Sequence, residues 1–162
     1  MKIYLIRHAS ALDPIPGKDD TLRDITKDGK KDAKKTALVL RRIAGRPDAI
    51  IASPLTRAVQ TAQVIAKGTG FKREIMLFDG LKPDAAPDEI VQFLNSNEDY
   101  DKVFIVGHQP LLGKILARIT NHGKDFDIEK CGVYIVTSCG NIGQTYAHID
   151  AYITPSIVRK LL

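Results

Sequence analysis

Apolar residues in this chain gather into short unbroken runs instead of alternating with polar ones. Residues 3–6 (Ile-Tyr-Leu-Ile), 49–52 (Ala-Ile-Ile-Ala) and 103–106 (Val-Phe-Ile-Val) are the clearest. A run of this length, bounded by turn or helix-start signals, reads as a strand buried on both faces, the pattern of a parallel sheet. Between the runs the apolar period changes to that of a helix. Ala33, Ala37, Leu40 and Ala44 come after Thr26, a helix-capping residue, and precede Gly45, a stop. Ala58, Ala62 and Ile65 come after Ser53-Pro54, where Ser is expected to cap and Pro to fill the first helical position, with Gly68 and Gly70 as the stop. Residues 86–94 read as a short helix with Pro87 near its start, and Gln109-Pro110 opens another that buries Leu111, Ile115, Leu116 and Ile119.

Residues 75–78 read as a further strand. Residues 133–137 and 145–149 read as a hairpin around the polar turn 138–144, which adds an antiparallel pair. A short amphipathic stretch begins at Pro155. Alternating strands and helices predict an α/β, three-layer fold with a mixed, mainly parallel sheet and helices on both faces. No repeat, low-complexity tract or linker divides the chain, so residues 1–162 are expected to form a single domain. Residues 9–25 contain Pro14, Pro16, Gly17, Asp19 and Asp20 and read as a long loop, a length that is often functional inside a compact domain.

The strand assignment matters because each apolar run ends beside residues suited to phosphate. Arg7-His8 ends the first, Ser53-Pro54 and then Arg57 the second, and Gly107-His108 the third. Ligands of parallel α/β sheets bind beyond the carboxyl ends of the strands. Adjacent strands would therefore bring two His and two Arg to one spot. A neutral imidazole nitrogen is a competent nucleophile toward phosphorus and splits one displacement into two. Flanking arginines disfavour the imidazolium, and a hydrogen bond from the other ring nitrogen would fix the tautomer. The guanidinium fork of Arg57, one turn into its helix, matches two phosphoryl oxygens. A donating His108 would stabilise charge developing on those oxygens. Each residue alone could be an ordinary strand-end or surface group; their convergence points to a site.

Composition narrows the partners. The chain of 162 residues has a net charge of +5 and is 44% hydrophobic, values of an ordinary globular protein with a mild preference for anions. It has no Trp and only 6% aromatic residues, so a base-stacking platform for nucleic acid is not expected. The chain starts directly in a strand, without a signal peptide, and no run is long enough to span a bilayer; a cytoplasmic location is expected. Cys131 and Cys139 define no disulfide framework and are expected as buried or half-buried small side chains. No His, Cys or Asp cluster has metal-ligand spacing, so neither metal nor cofactor is expected.

Taken together, the motifs carry a family resemblance. Arg7-His8-Ala9 resembles the Arg-His-Gly signature of the histidine phosphatase, or phosphoglycerate mutase-like, superfamily. Residues 53–62, Ser-Pro-Leu-Thr-Arg-Ala-Val-Gln-Thr-Ala, are similar to its second motif, and residues 106–110 to its third. The small size, residues 23–26 and Leu81-Lys82-Pro83 most resemble the short SixA-type branch, the phosphohistidine phosphatases. The resemblance implies that His8 is the nucleophile, that Arg7, Arg57 and His108 bind the phosphoryl group, and that Arg23 can also face it. His122 and His148 match no motif.

Two positions depart from the superfamily's pattern. Ala9 stands where Gly is usual, so the backbone there must suit a Cβ. Gly80 stands where larger relatives carry an acid that protonates an alkoxide leaving group; Asp79 and Asp84 are the nearest carboxylates and the candidate acids. Phosphohistidine loses a near-neutral imidazole and needs less help. The expected function is therefore metal-independent hydrolysis of phosphohistidine on a phosphorelay or phosphotransferase protein. The alternatives are a small-molecule phosphomonoesterase or mutase of the same superfamily, and a catalytically silent phosphate-binding module.

Overall fold

The computed structural model describes residues 1–162 except Glu98 and Tyr146. The strands are β1 (Lys2–Arg7), β2 (Ala49–Ala52), β3 (Met76–Leu77), β4 (Lys102–Gly107), β5 (Val133–Ser138) and β6 (Ala147–Ile153). They form one sheet in the order β3-β2-β4-β1-β5-β6. The four strands from β3 to β1 are parallel, and β5 pairs antiparallel with both β1 and β6. This is the mixed, mainly parallel sheet expected from the sequence.

Each central strand buries both faces, which is why its sequence is an unbroken apolar run. One face presents Ile3, Leu5, Ile51 and Ile105 to α3 (Pro87–Asn95) and α4 (Leu111–Ile119). The other presents Tyr4, Ile6, Ile50 and Phe104 to α1 (Lys27–Ile43) and α2 (Thr56–Thr69). The result is three layers. A last helix, α5 (Pro155–Leu161), rests on α1. Among the described residues no helix is long and apolar enough to cross a membrane.

Local signals place α1 as expected. Thr26 Oγ1 accepts from the amide of Gly29 (2.9 Å), and Gly45 takes a left-handed φ of 70° just past the end. Elsewhere the boundaries move. β3 is only two residues long, and β6 lies further along the chain than residues 145–149. Tyr146, inside that predicted strand, lies outside the described residues. Cys131 is buried, but Cys139 is exposed in the turn after β5.

Gly68 is not a helix stop. α2 runs through it, and Gly70 at φ 75° provides the stop. A Cβ on Gly68 would stand 2.5 Å from the Cβ of Ala37 on α1, so this glycine lets the two helices touch. In an unencumbered helix, Gly→Ala stabilises by about 0.5–1 kcal/mol. Here Gly68→Ala is expected to destabilise by about 1–3 kcal/mol through overpacking. The double variant with Ala37→Gly should recover most of that loss, as measured by urea unfolding.

Candidate active site

Parallel register sets the carboxyl ends of β1, β4 and β2 level. Arg7 pairs with Gly107, and Val106 pairs with Ala52. One step further, the His8 amide donates to the Gly107 carbonyl (3.0 Å) and the Ser53 amide to the Val106 carbonyl (3.0 Å). His8, Ser53 and His108 therefore emerge together. The rings of His8 and His108 lie 4.9 Å apart, centroid to centroid.

His8 is 9% exposed, and its Nδ1 lies 2.7 Å from the carbonyl oxygen of Ala9. A carbonyl can only accept, so Nδ1 holds the proton and Nε2 keeps its lone pair. Ala9 fits its place. It packs against Ala33 and Cys131, and its backbone is not in the left-handed region that would demand glycine. Its amide donates to Thr61 Oγ1 (3.0 Å), which in turn donates to the Arg57 carbonyl (2.7 Å). The loop that follows His8 is thus tied to α2 one turn after Arg57.

Ser53 does not cap α2, contrary to its local signal: the helix starts at Thr56, with Leu55 in the capping position. Ser53 Oγ instead lies 2.8 Å from His108 Nε2 and receives a long bond from the Leu55 amide (3.4 Å). The serine proton is thereby free to go to Nε2. In that arrangement the His108 proton sits on Nδ1, a buried atom without a hydrogen-bond partner among the described residues. His108 can then donate to an incoming anion while uncharged.

All five candidates from the motifs, Arg7, His8, Arg23, Arg57 and His108, line one cleft of about 350 Å³. Arg7 Nη1 donates to the Ile128 carbonyl (2.6 Å). Arg57, 5% exposed, donates through Nη1 to the Asp20 carbonyl (2.9 Å) and lies 3.2 Å from Asp20 Oδ2. The Nε atoms of Arg7 and Arg57 are buried and, among the described residues, unpartnered, an arrangement that suits a bound oxyanion. Arg23 pairs with Asp20 Oδ1 (2.6 Å) and donates to the Leu12 carbonyl (2.7 Å), which holds the 9–25 loop over the cleft.

Burial pushes His8 down to about 4, opposed by the Ala9 hydrogen bond and reinforced by the charges of Arg57, Arg7 and Lys130. It pushes His108 down to about 3, with His8, Arg57 and Arg7 acting in the same direction. Desolvation, more than the flanking arginines invoked from sequence, keeps both rings neutral at pH 7.

The candidate acids are not brought in. Asp79 is exposed and pairs with Lys82 (2.9 Å), and neither it nor the exposed Asp84 lines the cleft. The cleft's carboxylate is Asp20, which with Ser53, Thr61 and Lys130 has no site role legible in the sequence. Asp20 sits in a loop where acidic residues are commonplace. Lys130 lies on the 128–132 segment, whose Cys131 amide donates to the Arg7 carbonyl (3.1 Å), a long-range contact with no local signature. His122 and His148 are exposed and are not among the residues that line the cleft. Among the described residues no group of three His, Cys, Asp or Glu side chains could hold a metal ion.

Residues 3–82 match the family model described as histidine phosphatase superfamily (branch 1). A phosphohistidine phosphatase SixA homolog from Haemophilus influenzae is 26% identical over 128 residues, covering 74% of this chain and 77% of that protein. The fold is similar to that of the protein histidine phosphatase SixA solved with tungstate (TM-score 0.87, 19% identity, 96% of this chain and 98% of that one). It is also similar to the alpha-ribazole phosphatase from Shigella flexneri (TM-score 0.76, 16% identity, 96% and 97%).

The desolvated imidazoles have a direct signature. In a ring-carbon NMR titration, His8 should show its midpoint near 4 and His108 near 3. Both would then stay neutral well below the ordinary histidine value of about 6.5. A midpoint at or above about 6.5 for either ring would contradict the desolvated site.

Proposed function

Since the chain belongs to the histidine phosphatase superfamily, we propose that it hydrolyses phosphohistidine on a protein through a covalent phospho-His8 intermediate. The observation that carries this reading is the Nδ1 bond of His8 to Ala9, which leaves Nε2 unprotonated in a cationic cleft. In the first step Nε2 bonds to phosphorus, the substrate P–N bond breaks, and its electron pair leaves on the substrate imidazole. Arg7, Arg57 and the Nδ1–H of His108 hold the phosphoryl oxygens, with Arg23 at the edge. Because these groups are already desolvated and oriented, they stabilise the transition state with little reorganisation. In the second step water returns the phosphoryl group to solution as phosphate.

The substrate class depends on how leaving groups are protonated. Gly80 is buried, and a Cβ there would run into the Phe78 ring at 2.4 Å, so this position has no room for an acidic side chain. With Asp79 and Asp84 outside the cleft, an alkoxide would leave unaided, whereas imidazole needs little help. Leu12, Ile15 and Leu22, 53%, 54% and 68% exposed, lie on the loop that carries Asp20 and Arg23 and offer apolar contact to a protein substrate. The cleft volume would also admit a small phosphate ester, so a small-molecule phosphomonoesterase is the competing reading. Turnover of an aryl phosphate separates both from a silent binding module.

His8→Ala should abolish turnover without unfolding the protein, and labelled substrate should yield an acid-labile, base-stable phosphoprotein in the wild type alone. Arg57→Ala and His108→Ala should each lose at least about 10²–10³-fold in kcat, and EDTA should have no effect. Undiminished turnover by His8→Ala would remove the mechanism.

Substrate class is tested by competition between a phosphohistidine protein and 3-phosphoglycerate. The protein should have the much higher kcat/KM, with aryl phosphates between. Its dephosphorylation should slow as salt rises, because the net charge of +5 assists encounter with an acidic partner. A higher kcat/KM for 3-phosphoglycerate would leave the superfamily intact and overturn the phosphohistidine assignment.

A further inference from the structure

The geometry points to Asp20 as the group that orients the hydrolytic water and takes its proton when phospho-His8 is cleaved. This inference rests on the reading of His8 as nucleophile. Asp20 is the carboxylate of the cleft, and the surrounding structure fixes its position. Asp19 caps the 3₁₀ turn of Asp20–Leu22 by accepting from the Thr21 amide (2.9 Å) and hydroxyl (2.7 Å). Arg23 holds one carboxylate oxygen of Asp20 at 2.6 Å, and Arg57 lies 3.2 Å from the other. Arg57 also binds the Asp20 main chain, so the carboxylate is located relative to the guanidinium that clamps the phosphoryl group. Each oxygen can accept more than one hydrogen bond, so capacity for a water remains.

The side-chain acceptors that His108 and Gln109 bring to the cleft are committed. His108 Nε2 is bonded to Ser53. The Gln109 side-chain oxygen accepts from the Gly113 amide (3.0 Å), while its nitrogen donates to the Phe126 carbonyl (2.8 Å). The side chain of Asp20 is 52% exposed, which leaves it open to the solvent that replaces the leaving group. Arg23 first, and Arg57 with it, hold its carboxyl below the usual carboxylate range, against the effect of desolvation. Asp20 is thus ionised at neutral pH. It is the wrong form to protonate an alkoxide and the right form to accept a proton, which agrees with a P–N substrate.

The step balances. Water oxygen bonds to phosphorus, the P–Nε2 bond breaks, and its electron pair returns to Nε2. One water proton passes to Asp20, and hydrogen phosphate leaves. Asp20 then releases the proton to solvent. Little bond formation precedes the loose transition state of phosphoryl transfer, so the carboxylate acts first by orientation and only later as proton acceptor.

Stopped-flow turnover of p-nitrophenyl phosphate, whose leaving group needs no proton, tests the assignment. Asp20→Asn should release about one equivalent of nitrophenolate per site, at a rate no lower than wild-type turnover. Steady-state release should then be slowed by about 10²–10⁴-fold, with phosphoenzyme accumulating to near stoichiometry. Asp20→Glu should recover part of the steady-state rate. If the burst itself slows by the same factor, Asp20 only braces Arg57 and the assignment is overturned; unchanged kinetics overturn it equally. Failure of the underlying reading looks different: no phosphoenzyme would form in the wild type either, and His8→Ala would still turn over.

Discussion

The site depends on parallel hydrogen-bond register. With β1, β4 and β2 side by side and in step, the first residues beyond each strand are forced to the same height. A histidine after β1, a serine after β2 and a histidine after β4 then become neighbours without any local sequence relation. Shifting one strand by a residue would turn its side chains to the opposite face and break the constellation along with the core. Fold stability and site geometry therefore rest on the same buried strands.

Burial supplies the second part of the design. The cleft gathers several cations around two imidazoles, yet neither imidazole is charged at neutral pH, because desolvation outweighs every other influence on them. A charged His8 would have no lone pair to offer. A hydrogen bond to the Ala9 carbonyl then decides which nitrogen of His8 stays bare, and His108 Nε2 is engaged by Ser53. Asp20 accompanies the charged Arg57 in the wall of the cleft and opposes the effect of its burial. The carboxylate thus lowers the cost of holding a buried guanidinium and places a proton acceptor at the mouth of the cleft.

The loop from Ala9 to Ile25 brings these parts together. Thr61 holds its start, Gln60 binds the Ile25 amide at its end (2.8 Å), and Arg57 and Arg23 pin its middle through Asp20. Arg57, Gln60 and Thr61 lie on one side of α2, at helical spacing. The second motif therefore positions the loop as well as lining the cleft.

The three apolar runs, the polar residue after each, and Thr26, Gly45 and Pro87 as helix punctuation are legible because they depend on local physics: period, capping and backbone freedom. They lead to the α/β layers and to Arg7, His8, Arg57 and His108 in the cleft, while Arg23 is legible only through the family resemblance. Gly68 and Ser53 mislead for the same reason. Each carries a strong local signal, helix stop or helix cap, which a contact across the fold overrides: Ala37 for Gly68 and His108 for Ser53. Asp20 and Lys130 have no local signal, and Asp79 and Asp84 have a misleading one, since proximity along the chain to Gly80 says nothing about which way an exposed turn faces. The sequence by itself determined the elements and the chemistry at the strand ends. Only the tertiary structure decided which carboxylate and which serine meet the two imidazoles and the arginines at the cleft, because burial and charge pairing arise from residues far apart in the chain.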